Sequence, residues 1–443
     1  MGTENSSLKK DYFWNTVGSG VYALASMVLA FAAMHIAGPD DGGIFSFGFS
    51  AFGQQMFIIA YFGIRPFHIT DASYEYSYEE YRRLRICTCL GAAAAAALWL
   101  TAIRLAGLYT AGKAAVIFLL ALYKIADGVG DLYESECQRA GVLWVGAKEL
   151  TFRTILAAGV LIAVLAMTKD VLKAAAAAVC VQAAYLLWFR RSFVRYLPET
   201  DKSGLAGETA FAGGSAGSGD IEGKTARGVK SLAASTVLLF LSVFVDFYIF
   251  SASKYAIDLH LTDADSGIFN ILFMPTSVIY LAANFIIKPY MTRLSALYET
   301  RSLPDFDRIF GRLKLAVLVM SAAALLGTVL LGRPVLRVLE ILLGNAYAGT
   351  LTERYGLFIL IILGGCFYAM TNLYYYILII MRRQKQIFRN YLVLAAAAFA
   401  LSNIAVPRFG LTGAAAVYPV YMGIMTLIFL LTCSRALKAE RKS

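Results

Sequence analysis

Apolar residues run for the width of a bilayer, break at a short polar turn and run again, about twelve times along the chain. A helix needs roughly 20 mostly apolar residues to cross about 30 Å of hydrocarbon. The runs predict spanning helices at about residues 12–36, 44–66, 86–108, 113–133, 151–168, 171–190, 231–255, 266–289, 313–332, 355–381, 390–407 and 412–434. The pattern is also said twice. Gly43-Ile44-Phe45 opens a run that closes at Arg65-Pro66-Phe67, and Gly267-Ile268-Phe269 opens one that closes at Lys288-Pro289-Tyr290, about half of the 443-residue chain later. Asp131-Leu132-Tyr133 is echoed in the same order by Asn372-Leu373-Tyr374.

The expected architecture is therefore an all-α polytopic membrane protein of about twelve transmembrane helices, built as two six-helix lobes, residues 1–198 and 231–443, around a central cavity. Residues 199–230, rich in Gly, Ser, Ala and Thr, predict a flexible cytoplasmic linker between them. An even number of helices per lobe makes the repeat parallel, and transporters built this way expose a path between the lobes to each side in turn.

Composition agrees with the pattern. A chain 59% hydrophobic and 16% charged, with a mean hydropathy of +0.64, has too much apolar surface for a soluble globule. Basic residues near helix ends stay on the cytoplasmic side during insertion. Of the 40 Lys and Arg, only Arg104, Lys113, Lys169, Lys173, Lys254, Arg333, Arg337, Arg354 and Arg408 fall on the other side, and Lys124 lies within a helix. Both termini are thus expected in the cytoplasm. The net charge of +11 reflects this asymmetry and contact with anionic lipid, and no nucleic acid is expected as a partner. The first helix starts at Asp11 after Lys9-Lys10 without a small-residue cleavage site, so it reads as a retained span.

Several chemistries find no support. The cysteines at 87, 89, 137, 180, 366 and 433 fall in helices or on the cytoplasmic side and predict reduced thiols. His35, His68 and His260 are far apart in sequence, so no metal site follows. Gly223-Lys224-Thr225 has neither the earlier glycine nor the preceding strand of a phosphate loop. No catalytic residue, metal or cofactor is expected.

Charge inside hydrocarbon costs about 2.5–3.5 kcal/mol, so intramembrane ionisable groups need a reason. Lys124, Asp127 and Asp131 fall on one face of the fourth helix, with Gly128 and Gly130 leaving room beside them. Two readings stand: a local Lys124–Asp127 ion pair with Asp131 at the interface, or a polar cavity wall that binds substrate or a coupling ion. Asp246 and Lys254 in the seventh helix, with Asn284 and Asn372, form a second set, in which the asparagines serve either interhelical hydrogen bonds or a ligand. Asn15 is a polar position of the first helix. Arg65 and Lys288, matched by the repeat, either snorkel to lipid phosphates or draw a diphosphate to a common axis. Residues 68–85 read as an interfacial amphipathic helix or as a solvated connector.

The chain resembles the polysaccharide exporters and lipid-linked oligosaccharide flippases of the Wzx type, in the multidrug/oligosaccharidyl-lipid/polysaccharide (MOP) exporter superfamily. The likeness rests on Asp11-Tyr12-Phe13-Trp14-Asn15, Gly63-Ile64-Arg65 with Thr70-Asp71, and Lys124-x-x-Asp127 with Gln138-Arg139. In the second half it rests on Lys254-Tyr255-Ala256-Ile257-Asp258, Met274-Pro275, Lys288-Pro289 and Gly410-Leu411-Thr412-Gly413-Ala414-Ala415. The resemblance implies a two-lobed transporter of a bacterial inner membrane that moves a polyprenyl-diphosphate-linked glycan to the outer leaflet. Membrane lipids and polysaccharide polymerase machinery are its implied partners. By the same resemblance Arg65, Lys124 and Lys254 would meet the diphosphate, while Asp127, Asp131 and Asp246 could instead bind a coupling proton or sodium ion.

A drug or small-solute antiporter of the same superfamily is the alternative, and would favour carboxylates and aromatics. A membrane glycosyltransferase or polymerase would need a large extramembrane loop, and the outer loops are short. A major-facilitator carrier would need Gly-x-x-x-Asp-Arg between helices two and three, which residues 67–85 lack.

Overall fold

A computed structural model describes residues 2–71, 75–193, 195 and 218–441. All regular structure among the described residues is helical. The first half holds α1 (Gly2–Ala37), α2 (Pro39–Tyr61), the short α3 (Ile64–Thr70), α4 (Tyr78–Leu105), α5 (Ala111–Arg139), α6 (Leu143–Thr168) and α7 (Val171–Phe193). The second holds α8 (Ser218–His260), α9 (Asp263–Ile287), the short α10 (Met291–Glu299), α11 (Leu303–Leu343), α12 (Tyr355–Ile380) and α13 (Gln384–Glu440).

Ten helices among the described residues are long and apolar enough to cross a membrane. α5 is as long but carries too much charge to count with them, and the 57-residue α13 is two helices joined at Gly410. These bring the spans to the expected twelve. The break has a local cause: Gly410 has φ 58° and ψ −141°, a conformation that a Cβ makes costly. Other ends are set by polar caps. Thr110 and Thr262 accept from the third residue of α5 and α9, and Ser77 with Glu80 closes a capping box on α4.

The chain forms two compact units, one of Met1–Ala37 and Ile44–Phe244, the other of Gly38–Gly43 and Val245–Ser443. Within the first, α5 packs against α2, α4, α6 and α7. Within the second, α12 packs against α9, α11 and α13. Each is the fourth spanning helix of its half, so both halves are assembled around the same element.

Two boundaries differ from the sequence reading. The described residues of the charged stretch 68–85 form no separate helix: 68–70 end α3, 78–85 begin α4, 71 and 75–77 are non-helical, and residues 72–74 are outside the described residues. α8 begins at Ser218, inside the segment expected as a linker, and Gly223-Lys224-Thr225 lies within that helix; residues 199–217 are outside the described residues.

Candidate functional site: a buried charge network and its second-half counterpart

α5 buries Lys124, Asp127, Asp131, Glu134 and Glu136. Buried charge is tolerated only when it is paired and hydrogen-bonded, and here the neighbouring helices answer it. Asp127 accepts from Arg153 Nη1 of α6 at 2.5 Å, from Gln182 Nε2 of α7 at 2.8 Å and from the Tyr22 hydroxyl of α1 at 2.9 Å. Arg153 also donates to Glu149 at 2.7 Å. Lys124 Nζ lies 3.9 Å from Asp127 Oδ2, donates to Tyr22 at 3.1 Å and sits 3.9 Å from the centroid of the Phe49 ring.

Asp131 takes one arginine on each oxygen, Arg65 and Arg85, both at 2.7 Å. Arg65 continues to Glu134 at 3.1 Å. Burial works against the Arg65 charge, but Asp131 and Glu134 outweigh it and hold the guanidinium above its ordinary value. Further along α5, Glu136 meets His68 and Arg139, each at 2.7 Å, and His68 stacks on Tyr81 with ring centroids 3.9 Å apart.

The local Lys124–Asp127 pair is therefore real but secondary, since the principal partner of Asp127 comes from α6. Asp131 is buried between two arginines. Arg153, Glu149 and Arg85 were not anticipated as partners. Hydropathy starts the fifth span at 151 and the third at 86, which leaves Glu149 and Arg85 outside, whereas α6 and α4 begin earlier and carry them inside.

In the second unit Asp246 Oδ2 accepts from the Tyr368 hydroxyl at 2.8 Å, and Tyr391 stands beside the same carboxylate. Among the described residues no Lys, Arg or His lies within salt-bridge distance of Asp246. Lys254 is buried with its ammonium 4.4 Å from the Phe273 ring centroid. Asn372 donates to Asn284 Oδ1 at 3.2 Å, and Tyr376 reaches the same oxygen at 3.1 Å. Lys288 is exposed in a 3-10 turn, Lys288–Tyr290, and Asn15 is exposed on α1. Neither joins a cluster.

The repeat register relates the two carboxylates. Matching Gly43 to Gly267 puts Tyr22 at the position of Asp246, and matching Asp131 to Asn372 puts Asp127 at that of Tyr368. The same helix pair thus holds a tyrosine–aspartate hydrogen bond in each unit, with donor and acceptor exchanged. All six cysteines are free, and among the described residues no group of three His, Cys, Asp or Glu could hold a metal ion.

No known family profile matches the sequence, and no curated protein matches it. The structure, by contrast, is similar to solved transporters. One is an inward-facing multidrug resistance MATE family transporter of the MOP superfamily, with a TM-score of 0.63 at 11% identity over 97% of this chain and 99% of that one. A second is the lipid II flippase MurJ in an inward closed conformation, also at 0.63 and 11%, covering 94% of this chain and 87% of MurJ. A third is a MOP superfamily transporter from Pyrococcus furiosus, at 0.55 and 12% over 99% and 97%. The fold is that of the MOP superfamily transporters. Drug transporters and a lipid flippase share it equally, so fold alone selects no substrate.

Proposed function

We propose that this chain is a Wzx-type flippase, carrying a polyprenyl-diphosphate-linked oligosaccharide from the cytoplasmic to the outer leaflet of a bacterial inner membrane by alternating access. It would supply cell-surface polysaccharide synthesis without covalent chemistry, with both termini in the cytoplasm. The observation that supports this reading is one lysine ammonium per half, Lys124 and Lys254, buried in a spanning helix over a phenylalanine face. Such a group is costly in hydrocarbon and suits an anionic oxygen ligand. The similarity to the lipid II flippase agrees with a lipid-linked substrate. Arg65 is the weaker of the expected cations, because two carboxylates, Asp131 and Glu134, engage it at 2.7 and 3.1 Å, whereas Lys124 has one carboxylate, Asp127, at 3.9 Å. Lys288, Asn15, Asn284 and Asn372 are left as secondary contacts.

The test is the affinity of purified protein for undecaprenyl diphosphate. Lys124→Ala and Lys254→Ala should each weaken it about tenfold or more, the value of a lost charge-assisted hydrogen bond. Equal affinity in both variants would sink the diphosphate role.

One observation favours cation-coupled antiport as a second reading. Among the described residues Asp246 has hydroxyl neighbours and no cation within salt-bridge distance, which leaves it able to take a proton or sodium ion, whereas Asp127 is committed to Arg153. Exchange of a small cation for protons that Asp246→Asn abolishes, with no lipid binding, would carry that reading instead.

A further inference from the structure

Beyond the clusters on the spanning helices, the second unit holds a pocket of about 280 Å³ between the Lys288–Tyr290 turn, α10 and the start of α11. Three arginines converge on it: Arg293 from α10, and Arg308 and Arg312 one turn apart on α11. Among the described residues Asp305 is the only carboxylate in its lining, and it takes Arg308 at 3.1 Å. Among the described residues neither Arg293 nor Arg312 has a carboxylate within salt-bridge distance. Ile286, Ile309, Leu313 and Ala316 add apolar lining, together with Tyr290.

The first half treats the same place differently. At the start of α4, its third spanning helix, Glu79 holds both Arg82 and Arg83, at 2.6 and 2.7 Å, and Asp131 holds Arg85. The neighbouring pocket on the other side of α10 is answered too: Arg301 meets Glu440 at 3.5 Å and Arg382 meets Glu299 at 4.0 Å. Insertion asymmetry explains basic residues at this end of a span. It does not explain why Arg293 and Arg312 are left without a carboxylate partner among the described residues while the arginines of these other places are neutralised. From the pocket, α11 continues as an exposed apolar stripe through Leu315, Val319, Leu326 and Leu330 on the Arg312 side.

We propose that this pocket binds the headgroup phosphate of an anionic membrane phospholipid, with Arg293 and Arg312 on the phosphate oxygens and an acyl chain along that stripe. Guanidinium groups pair bidentately with phosphate, and basic pockets between membrane helices are suited to acidic headgroups. The apolar lining and stripe select a lipid over a free ion.

Native mass spectrometry of the full-length protein in detergent tests the assignment, with phosphatidylglycerol, phosphatidylcholine and inorganic phosphate as separate arms. Phosphatidylglycerol should bind more tightly than the other two, and the double variant R293Q/R312Q should weaken it roughly 25-fold, at about 1 kcal/mol per arginine. R301Q/R382Q, in the neighbouring pocket, should leave it unchanged. Asp305→Asn, which releases Arg308, should tighten binding severalfold, and this arm stands even if the double arginine variant does not fold. Unchanged binding in R293Q/R312Q, no tightening in Asp305→Asn, equal binding of phosphatidylcholine, or competition by inorganic phosphate at equal affinity would each overturn the proposal.

Discussion

Asp127 shows how a buried carboxylate is satisfied by neighbours distant in sequence. Arg153 bridges it to Glu149, so the arginine is the group on which both carboxylates depend. Arg153→Leu strands two carboxylates and should cost about 3–5 kcal/mol, the scale for breaking a buried pair. Asp127→Asn should cost less, because Arg153 keeps Glu149. Unfolding of both variants in mixed micelles gives the order, and the reverse order would contradict the bridge. His68 supplies a pH test. Burial, with help from Arg139 and Arg85, lowers its pKa below the ordinary 6.5 despite the opposing pull of Glu136. The folded state therefore prefers neutral imidazole, so this contribution to stability is complete above about 6.5 and is lost as pH falls below it. A stability–pH curve should drop on acidification, and His68→Gln should flatten that part of the curve. Lys124, Asp127 and Asp131 were legible in sequence because charge interrupts an apolar run. Apart from Arg65, their partners on other helices were not, since Tyr22 and Gln182 are unremarkable on their own helices and Arg85 and Glu149 sit just beyond the hydropathy limits.

Among the elements, α5 depends on small residues as much as on charged ones. Gly130 faces the Arg153 guanidinium so closely that a Cβ there would collide with Nη2 and Cζ, whereas Gly112 on the same helix has open space. Gly130→Ala should destabilise by about 1–3 kcal/mol, as overpacking does, and Gly112→Ala should be nearly neutral; thermal unfolding in detergent separates them. Gly410→Ala should cost a similar amount for another reason, its φ of 58° at the junction of two helices. Sequence located the helices themselves well, because a twenty-residue apolar run has few alternatives. It placed their ends less well: polar and charged residues extend α4, α6 and α8 beyond the apolar runs, where capping and tertiary pairing decide instead of hydropathy.

For the whole molecule, the repeat visible as Gly-Ile-Phe and Asp/Asn-Leu-Tyr reflects two units assembled on their fourth helices, each with its own tyrosine–aspartate bond, in which donor and acceptor helices are reversed. One copy locks its aspartate to an arginine and the other leaves its aspartate among hydroxyls. The fold was legible because membrane insertion fixes helix number and order. The substrate was not, because lysine over an aromatic ring suits several anions and the same fold serves drugs and lipids alike. The most direct measurement of the central claim is leaflet exchange in proteoliposomes, using a fluorescent undecaprenyl-diphosphate oligosaccharide and an impermeant quencher. The account predicts that the protein accelerates exchange and that Lys124→Ala and Lys254→Ala slow it about tenfold or more with folding intact. Exchange no faster than in protein-free vesicles, across several glycans, would contradict it.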